Sequence, residues 1–186
     1  MNFARIFFSV LKKIGYIDST NVLQKGGAIM PEAKTNAMRI LEQQGIAYIS
    51  HSYPHGKEPP DGVTVAQLLG EDPSVVYKTL VTKGSKDYYV FVLPVLKELD
   101  LKKAAKAVSE KSVSMIPVKD INKATGYIRG GCSPIGMKKL YKTVFSAECN
   151  EHTNIIVSGG KVGLQIEAAA CDLIKSVQGT VADITL

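Results

Sequence analysis

The sequence predicts a mixed α/β domain, a curved mixed β-sheet flanked by helices. Three observations carry that expectation. Stretches of period-2 alternation and of 3.6-residue periodicity interleave along the chain. Tight-turn signals join some strands as hairpins while helical stretches separate others, so antiparallel and crossover connections coexist. The composition, 45% hydrophobic and 22% charged over 186 residues, belongs to a chain able to bury a full core in one domain.

Residues 1–31 read as an N-terminal extension outside the core. Gly26-Gly27 and Pro31 interrupt the pattern, and Met30 is a natural second start. Within the extension, 3–17 can form a short amphipathic helix with Phe7, Val10, Leu11 and Ile14 on one side. Its apolar run is short of the roughly 20 residues of a membrane span, and no small-residue cleavage site clearly follows. The domain proper is expected over 32–186. A helix over 34–44 turns Ala37, Ile40 and Leu41 inward and stops at Gly45. A strand over 46–53, a Pro/Gly-rich loop over 55–62 and a short helix over 63–69 follow. Strands over 75–83 and 88–95 are joined by Gly84-Ser85-Lys86-Asp87, a hairpin signal. Asp100 caps a helix over 101–109, because its carboxylate can accept from the free N–H groups of the first turn. A strand over 112–116 leads to Pro117, which opens a short helix ending near Gly126. Strands over 143–147 and 154–158, a tight turn Gly159-Gly160-Lys161, and a strand over 162–166 come next. A helix over 167–177 and a strand over 180–184 complete the series of strands and helices.

The formal charge is +6, from 23 basic and 17 acidic residues. Half of that excess lies in the extension, so the domain is only mildly basic; it permits a polyanionic partner without demanding one. The clusters Lys102-Lys103 with Lys106, and Lys138-Lys139 with Lys142, fit solvated helix faces or phosphate contacts beside a site. Three cysteines with no CxxC pair do not form a disulfide framework and fit a reducing cytoplasm.

Lys78 is the informative residue. It sits at the centre of Val75-Val76-Tyr77-Lys78-Thr79-Leu80-Val81, an otherwise apolar strand. An ammonium is costly to bury unpaired, so Lys78 must face solvent, a carboxylate or a polar cleft. It is either an edge lysine that blocks aggregation or the wall of a site that binds a phosphate or carbonyl oxygen. The segment Gly130-Gly131-Cys132-Ser133-Pro134-Ile135-Gly136 is either a tight bend or a loop that brings N–H donors to a developing oxyanion. It matches neither GxxxxGK[ST] nor GxGxxG. Ser158 is a turn residue or a hydrogen-bonding group of the cleft. His51 and His55 have the spacing of a helical zinc pair, but Pro54 and the strand pattern remove them from a helix, and no metal site is expected. Cys132 is a candidate nucleophile with no activating histidine near it in sequence.

Taken in order, several segments resemble the YbaK/EbsC family of aminoacyl-tRNA deacylases, related to the editing domain of bacterial prolyl-tRNA synthetases. They are Lys34-Thr35-Asn36-Ala37, His51-Ser52-Tyr53, Val76-Tyr77-Lys78-Thr79-Leu80, Leu99-Asp100-Leu101-Lys102-Lys103, Thr125-Gly126-Tyr127, Gly130 to Gly136, and Val157-Ser158-Gly159-Gly160-Lys161. The resemblance runs from about Lys34 to Ile184. It implies a barrel-like mixed sheet surrounded by helices, and a trans-editing enzyme of the cytoplasm that clears Cys-tRNA(Pro). It also implies Lys78 as the essential residue, with Tyr53, Thr79, Gly130, Gly131, Ser133, Pro134, Ser158 and Gln165 contacting substrate. In the family the substrate's own thiol attacks its carbonyl, so no cofactor and no enzymic nucleophile are expected; release of a thiolactone would make the enzyme formally a lyase. The implied partners are aminoacylated tRNA(Pro) and prolyl-tRNA synthetase, with no membrane and no DNA. Two positions depart from the pattern: Asp61 stands where many members carry phenylalanine, and Gln165 where the family has a pocket aspartate. Alternatives are a deacylase for another small amino acid such as alanine on tRNA(Pro), and a non-catalytic tRNA-binding module.

Overall fold

A computed structural model describes residues 34–186; the 1–31 extension and its expected helix lie outside the described residues. Helix α1 (Asn36–Gln43) starts where Thr35 accepts from the Met38 N–H, and it buries Ala37, Met38 and Leu41. Strand β1 (Ile49–Ser52) follows. Helix α2 (Gly62–Leu69) is capped by Asp61, whose carboxylate accepts from the Thr64 N–H at 2.9 Å and the Thr64 hydroxyl at 3.0 Å. Strands β2 (Tyr77–Lys83) and β3 (Tyr88–Pro94) form the expected hairpin, with the Gly84 N–H donating to the Asp87 carbonyl. Helix α3 (Leu101–Val108) is capped by Asp100, which accepts from the Lys102 and Lys103 N–H groups. Strand β4 (Ser114–Met115), helix α4 (Val118–Thr125), strands β5 (Lys142–Ser146), β6 (Asn154–Lys161) and β7 (Leu164–Ala169), helix α5 (Ala170–Ser176) and strand β8 (Thr180–Ala182) complete the order. A 3-10 turn over Ala147–Glu151, between β5 and β6, has no counterpart in the sequence reading.

The expected boundaries move around β6 and β7. Strand β6 runs through Gly159-Gly160 to Lys161, and the register against β7 shifts between Ser158 and Lys161. The two glycines, which read as a turn, therefore occupy a bulge, a place where glycine is common because the extra residue needs unusual backbone angles. The actual turn is Val162-Gly163. Residues 167–169, expected to be helical, belong to β7. Strand β7 is central, flanked by β1 and β6; Glu167 pairs with Ile49 on one side and Ile156 on the other, and Ala168 and Ala169 continue the β6 ladder opposite Ile155 and Asn154, which outweighs the helix propensity of the alanines.

Strands β1-β7-β6 form one sheet and β4-β2-β3-β5-β8 the other. Antiparallel β2–β3 pairing beside parallel β3–β5 and β5–β8 pairing makes the second sheet mixed. The sheets meet at a parallel bridge between Val76 and Ile156, where the Ile156 N–H donates to the Val75 carbonyl at 2.8 Å. Both contribute to one core. Tyr77, Val92 and Phe145 pack with Val157, Leu164 and Ile166 and with α1 and α5, so the combined surface curves around that core. On the other face, α3 covers Phe91, Leu93 and Val144, and α2 covers Val76 and Ile156 through Ala66.

Past the bridge the sheets part. The outer edge of β2 is next paired at Thr82 and Lys83, by β4. Between these points, Lys78 to Leu80 border a gap that no ladder closes among the described residues.

Candidate active site

The gap holds a cavity of about 130 Å³. Its strand wall is polar. Lys78 and Thr79 come from β2, Ser158 from β6 and Gln165 from β7. Ser158 and Gln165 face each other in the β6–β7 register, so their side chains emerge together. Lys78 and Thr79 point to opposite faces of β2 by the strand's period of two. Both still border the cavity, because it opens at the strand's edge rather than on one face. Its other walls come from Tyr53, Pro60, Gly130 and Cys132 in connecting segments and from Gly62 at the start of α2, with Val65, Val76, Tyr77 and Val95 completing the lining.

The Lys78 ammonium donates to Glu98 Oε1 at 2.9 Å. The Lys78 side chain is 25% exposed and that of Glu98 73% exposed. An ion pair with so exposed a partner contributes about 1 kcal/mol at most, so a substrate oxygen can displace the carboxylate. The Thr79 hydroxyl is buried and makes no protein hydrogen bond. A buried hydroxyl left unpaired is costly, and a ligand that bonds to it recovers that cost. Ser158 Oγ accepts from the Gly160 N–H at 3.3 Å across the bulge.

The glycine loop divides into two parts. Gly130 borders the cavity at φ +80, and a Cβ there would lie 2.2 Å from Pro59 Cβ. Gly131 does not border the cavity; its N–H is used in a bond to the Ile128 carbonyl at 3.0 Å. Ser133 and Pro134 are buried behind the loop, with Ser133 Oγ accepting from the Ile135 N–H. Tyr127 donates its hydroxyl to the Ile135 carbonyl at 2.6 Å and braces the same turn. Of the residues singled out in sequence, Lys78, Tyr53, Thr79, Gly130, Ser158 and Gln165 thus meet at one cavity, while Gly131, Ser133 and Pro134 shape the loop from behind. Glu98, Pro60 and Val95 were not singled out. An exposed glutamate twenty residues past Lys78 carries no local signal, because only the β2–β3 hairpin brings it back.

Cys132 lines the cavity, but burial pushes its thiol up to about 11, against a smaller opposing hydrogen bond from Thr125. It is a neutral thiol at physiological pH and a poor nucleophile. Asp61 does not line the cavity. Hydrogen bonds from Thr64 at the start of α2 hold its carboxyl below the ordinary range. Its neighbour Gly62 takes the wall position, where a Cβ would overlap Val95. His51 pairs with Glu167 at 2.9 Å, tying β1 to β7, whereas His55 contacts the Gly56 carbonyl. Among the described residues, His51, Glu71 and Glu167 bring their ligand atoms within 4.8 Å of one another, a donor set of the kind that divalent cations use. No helix among the described residues is long and apolar enough to cross a membrane.

Residues 60–175 match the family model for an aminoacyl-tRNA editing domain. A protein of Enterococcus faecalis named as a Cys-tRNA(Pro)/Cys-tRNA(Cys) deacylase, EbsC, is 44% identical over 155 residues, covering 83% of this chain and 94% of its own. Among solved structures, one described as a trans-editing enzyme for prolyl-tRNA synthetase superposes with a TM-score of 0.72 at 22% identity, covering 86% of this chain and 99% of that one. Another, described only as hypothetical protein APE2540, gives 0.74 at 19% identity, covering 82% of this chain and all of the other. At these identities the two structures speak for the fold.

Proposed function

The chain belongs to the aminoacyl-tRNA editing-domain family, and from that premise we propose that it is a trans-editing deacylase that clears Cys-tRNA(Pro). The observation that carries this reading is the cavity itself. Lys78 and the uncharged polar side chains of Thr79, Ser158 and Gln165 border about 130 Å³, and the one thiol in the wall is held protonated. That is enough space for a small aminoacyl group, with donors for an ester and no activated protein nucleophile.

The chemistry then falls to the substrate. An aminoacyl ester is already activated. The cysteine thiol attacks its own carbonyl carbon, a C–S bond forms, and the carbonyl oxygen gains negative charge. The Lys78 ammonium, released from Glu98, stabilises that charge or holds the terminal ribose. When the ester C–O bond breaks, the tRNA 3′-oxygen leaves and takes up the proton lost by the thiol. The products are free tRNA and a cysteine thiolactone, which water opens. Thr79 and Ser158 hold the ester in the geometry this ring closure needs, and the small cavity excludes large side chains. Prolyl-tRNA synthetase supplies the tRNA selection that a mildly basic surface does not, and the reaction belongs to the cytoplasm.

Gln165 favours one competing reading. An amide in place of an aspartate removes a negative charge from the wall, which changes what the substrate's ammonium meets. The test is a panel of tRNA(Pro) charged with cysteine, alanine, serine or proline. Fast release from the cysteine ester, with thiolactone trapped as product, supports thiol-assisted editing. Faster clearance of alanine transfers the assignment to alanine, and binding without turnover on any of the four refutes the enzyme reading.

A further inference from the structure

One side-chain cluster has no part in the chemistry above. A ring nitrogen of His51 and one carboxylate oxygen each of Glu71 and Glu167 lie within 4.8 Å of one another. Three separate elements bring them together. His51 on β1 is paired with Gln165 of β7, and Glu167 is two residues further along β7. Residues two apart on a strand share a face, so the imidazole and the Glu167 carboxylate meet diagonally on the face that carries Gln165. Glu71 comes from above that face. Helix α2 packs Ala66 in one cluster with Ile156, which is the β6 partner of Glu167. The helix ends at Gly70 in the left-handed region, and the Glu71 N–H donates back to the Ala66 carbonyl at 3.0 Å. That cap fixes where Glu71 leaves the helix.

We propose that His51, Glu71 and Glu167 bind a divalent transition-metal cation of the Zn²⁺ type, which ties the end of α2 to β1 and β7. The site does not depend on the deacylase reading. Imidazole nitrogen and carboxylate oxygen are donors that such ions take, and three protein ligands leave a fourth position to solvent. With bonds of about 2.0–2.2 Å, the ligand atoms of a tetrahedral ion stand about 3–3.6 Å apart. Donors already within 4.8 Å reach that spacing by small side-chain rotations. The surroundings differ from those of a solvated acidic patch. The His51 and Glu167 side chains are only 12% and 18% exposed, so water screens the neighbouring carboxylates poorly and a divalent charge removes their repulsion. His51 Nε2 engages Glu167 Oε2 at 2.9 Å, while the Glu71 carboxylate has no hydrogen bond or ion pair among the described residues. Asn154 donates to Glu167 Oε1 at 3.0 Å, the kind of outer hydrogen bond that orients a ligating carboxylate. The histidine pair that the strand at His51 ruled out is thus replaced by partners distant in sequence, Glu167 being 116 residues away. The site also touches the walls of the first cavity, to which α2 gives Gly62 and Val65 and β7 gives Gln165.

The experiment titrates the chelator-stripped full chain with ZnCl2, and with MgCl2 as the hard-cation control, by calorimetry and by thermal unfolding. Glu71→Gln and His51→Gln are compared, with folding checked by circular dichroism. The wild type is expected to bind zinc and to gain Tm from it, as any ligand of the native state confers. Each variant is expected to lose about tenfold or more in zinc affinity together with most of that gain. The gain is read between the loaded and stripped forms of the same variant, so stability lost with the His51–Glu167 pair does not imitate a lost ligand. X-ray absorption at the zinc edge of the wild type needs no variant, and is expected to show nitrogen and oxygen neighbours without sulfur. Failure of the wild type to bind zinc overturns the proposal, as do equal affinity and equal Tm gain in all three proteins. Sulfur among the neighbours would move the ion to a cysteine and overturn it as well. Binding of Mg²⁺ as tight as that of Zn²⁺ would overturn the assignment to a transition metal.

Discussion

The strand wall and the loop wall of the first cavity are built by different physics. Lys78, Thr79, Ser158 and Gln165 are placed by ladder pairing, where register fixes which side chains emerge together. Pro60, Gly62, Gly130 and Cys132 are placed by close approach of backbone, as the predicted overlaps of a Cβ on Gly62 with Val95 and on Gly130 with Pro59 demonstrate. The strand wall carries the donors and the charge. The loop wall carries the shape. Substitutions in the first should therefore change the chemistry while sparing the fold, and substitutions in the second should change the fold together with the chemistry.

The largest expected effect is on the strand wall. Lys78→Ala lowers kcat for the charged tRNA by about 100-fold or more, the scale of removing a donor aimed at developing charge. Its midpoint of urea unfolding stays near the wild type, because the lost ion pair is with an exposed partner. Full activity in this variant would remove Lys78 from the mechanism. Gly130→Ala is the loop counterpart. It combines a left-handed φ of +80 with a clash against Pro59, and is expected to cost about 1–3 kcal/mol in urea unfolding together with much of the activity. A stable, fully active Gly130→Ala would mean that the loop wall yields easily and that the contrast between the walls is false.

Asp61→Ala is a smaller test of the same division. As a helix cap it is expected to cost about 1 kcal/mol of stability, read from the unfolding midpoint, with little change in which amino acid is cleared. A large shift in amino-acid preference would give Asp61 a part in substrate selection. Cys132 has the smallest effect. The thiol ionises near its ordinary value of 9.0 in the unfolded chain and near 11 in the folded one. Between those values the unfolded state has released a proton that the native state retains, so stability falls as pH rises. Cys132→Ser flattens that part of the stability profile and, at neutral pH, lowers kcat far less than Lys78→Ala does. A loss equal to that of Lys78→Ala would make the thiol a participant.

Most of the fold was legible. The caps at Asp100 and Asp61, the Gly84–Asp87 turn and the stop at Gly126 act through a few neighbouring residues, so local sequence specifies them. Local reading failed at Gly159-Gly160 and at 167–169. A bulge and a turn use the same residues, and only pairing with a distant strand distinguishes them. The site was legible to the same degree. Lys78 stood out because a charge in an apolar strand requires a reason. Gly131, Ser133 and Pro134 share a loop with Gly130, yet their sequence neighbours do not reveal that the chain buries them behind the wall.

By itself, the sequence determined the alternation of elements, the lysine that cannot be comfortably buried, and the ordered segments that mark an editing domain. These depend on periodicity, capping and residue type, which are properties of short stretches of chain. Only the tertiary structure decided that two sheets meet at a single bridge and then part, and that Lys78 borders the gap they leave. The same folding sets Ser158 against Gln165 in the wall of that gap. Those facts depend on which distant segments come into contact, and the cost of an overlap or an unpaired group is incurred only when they do.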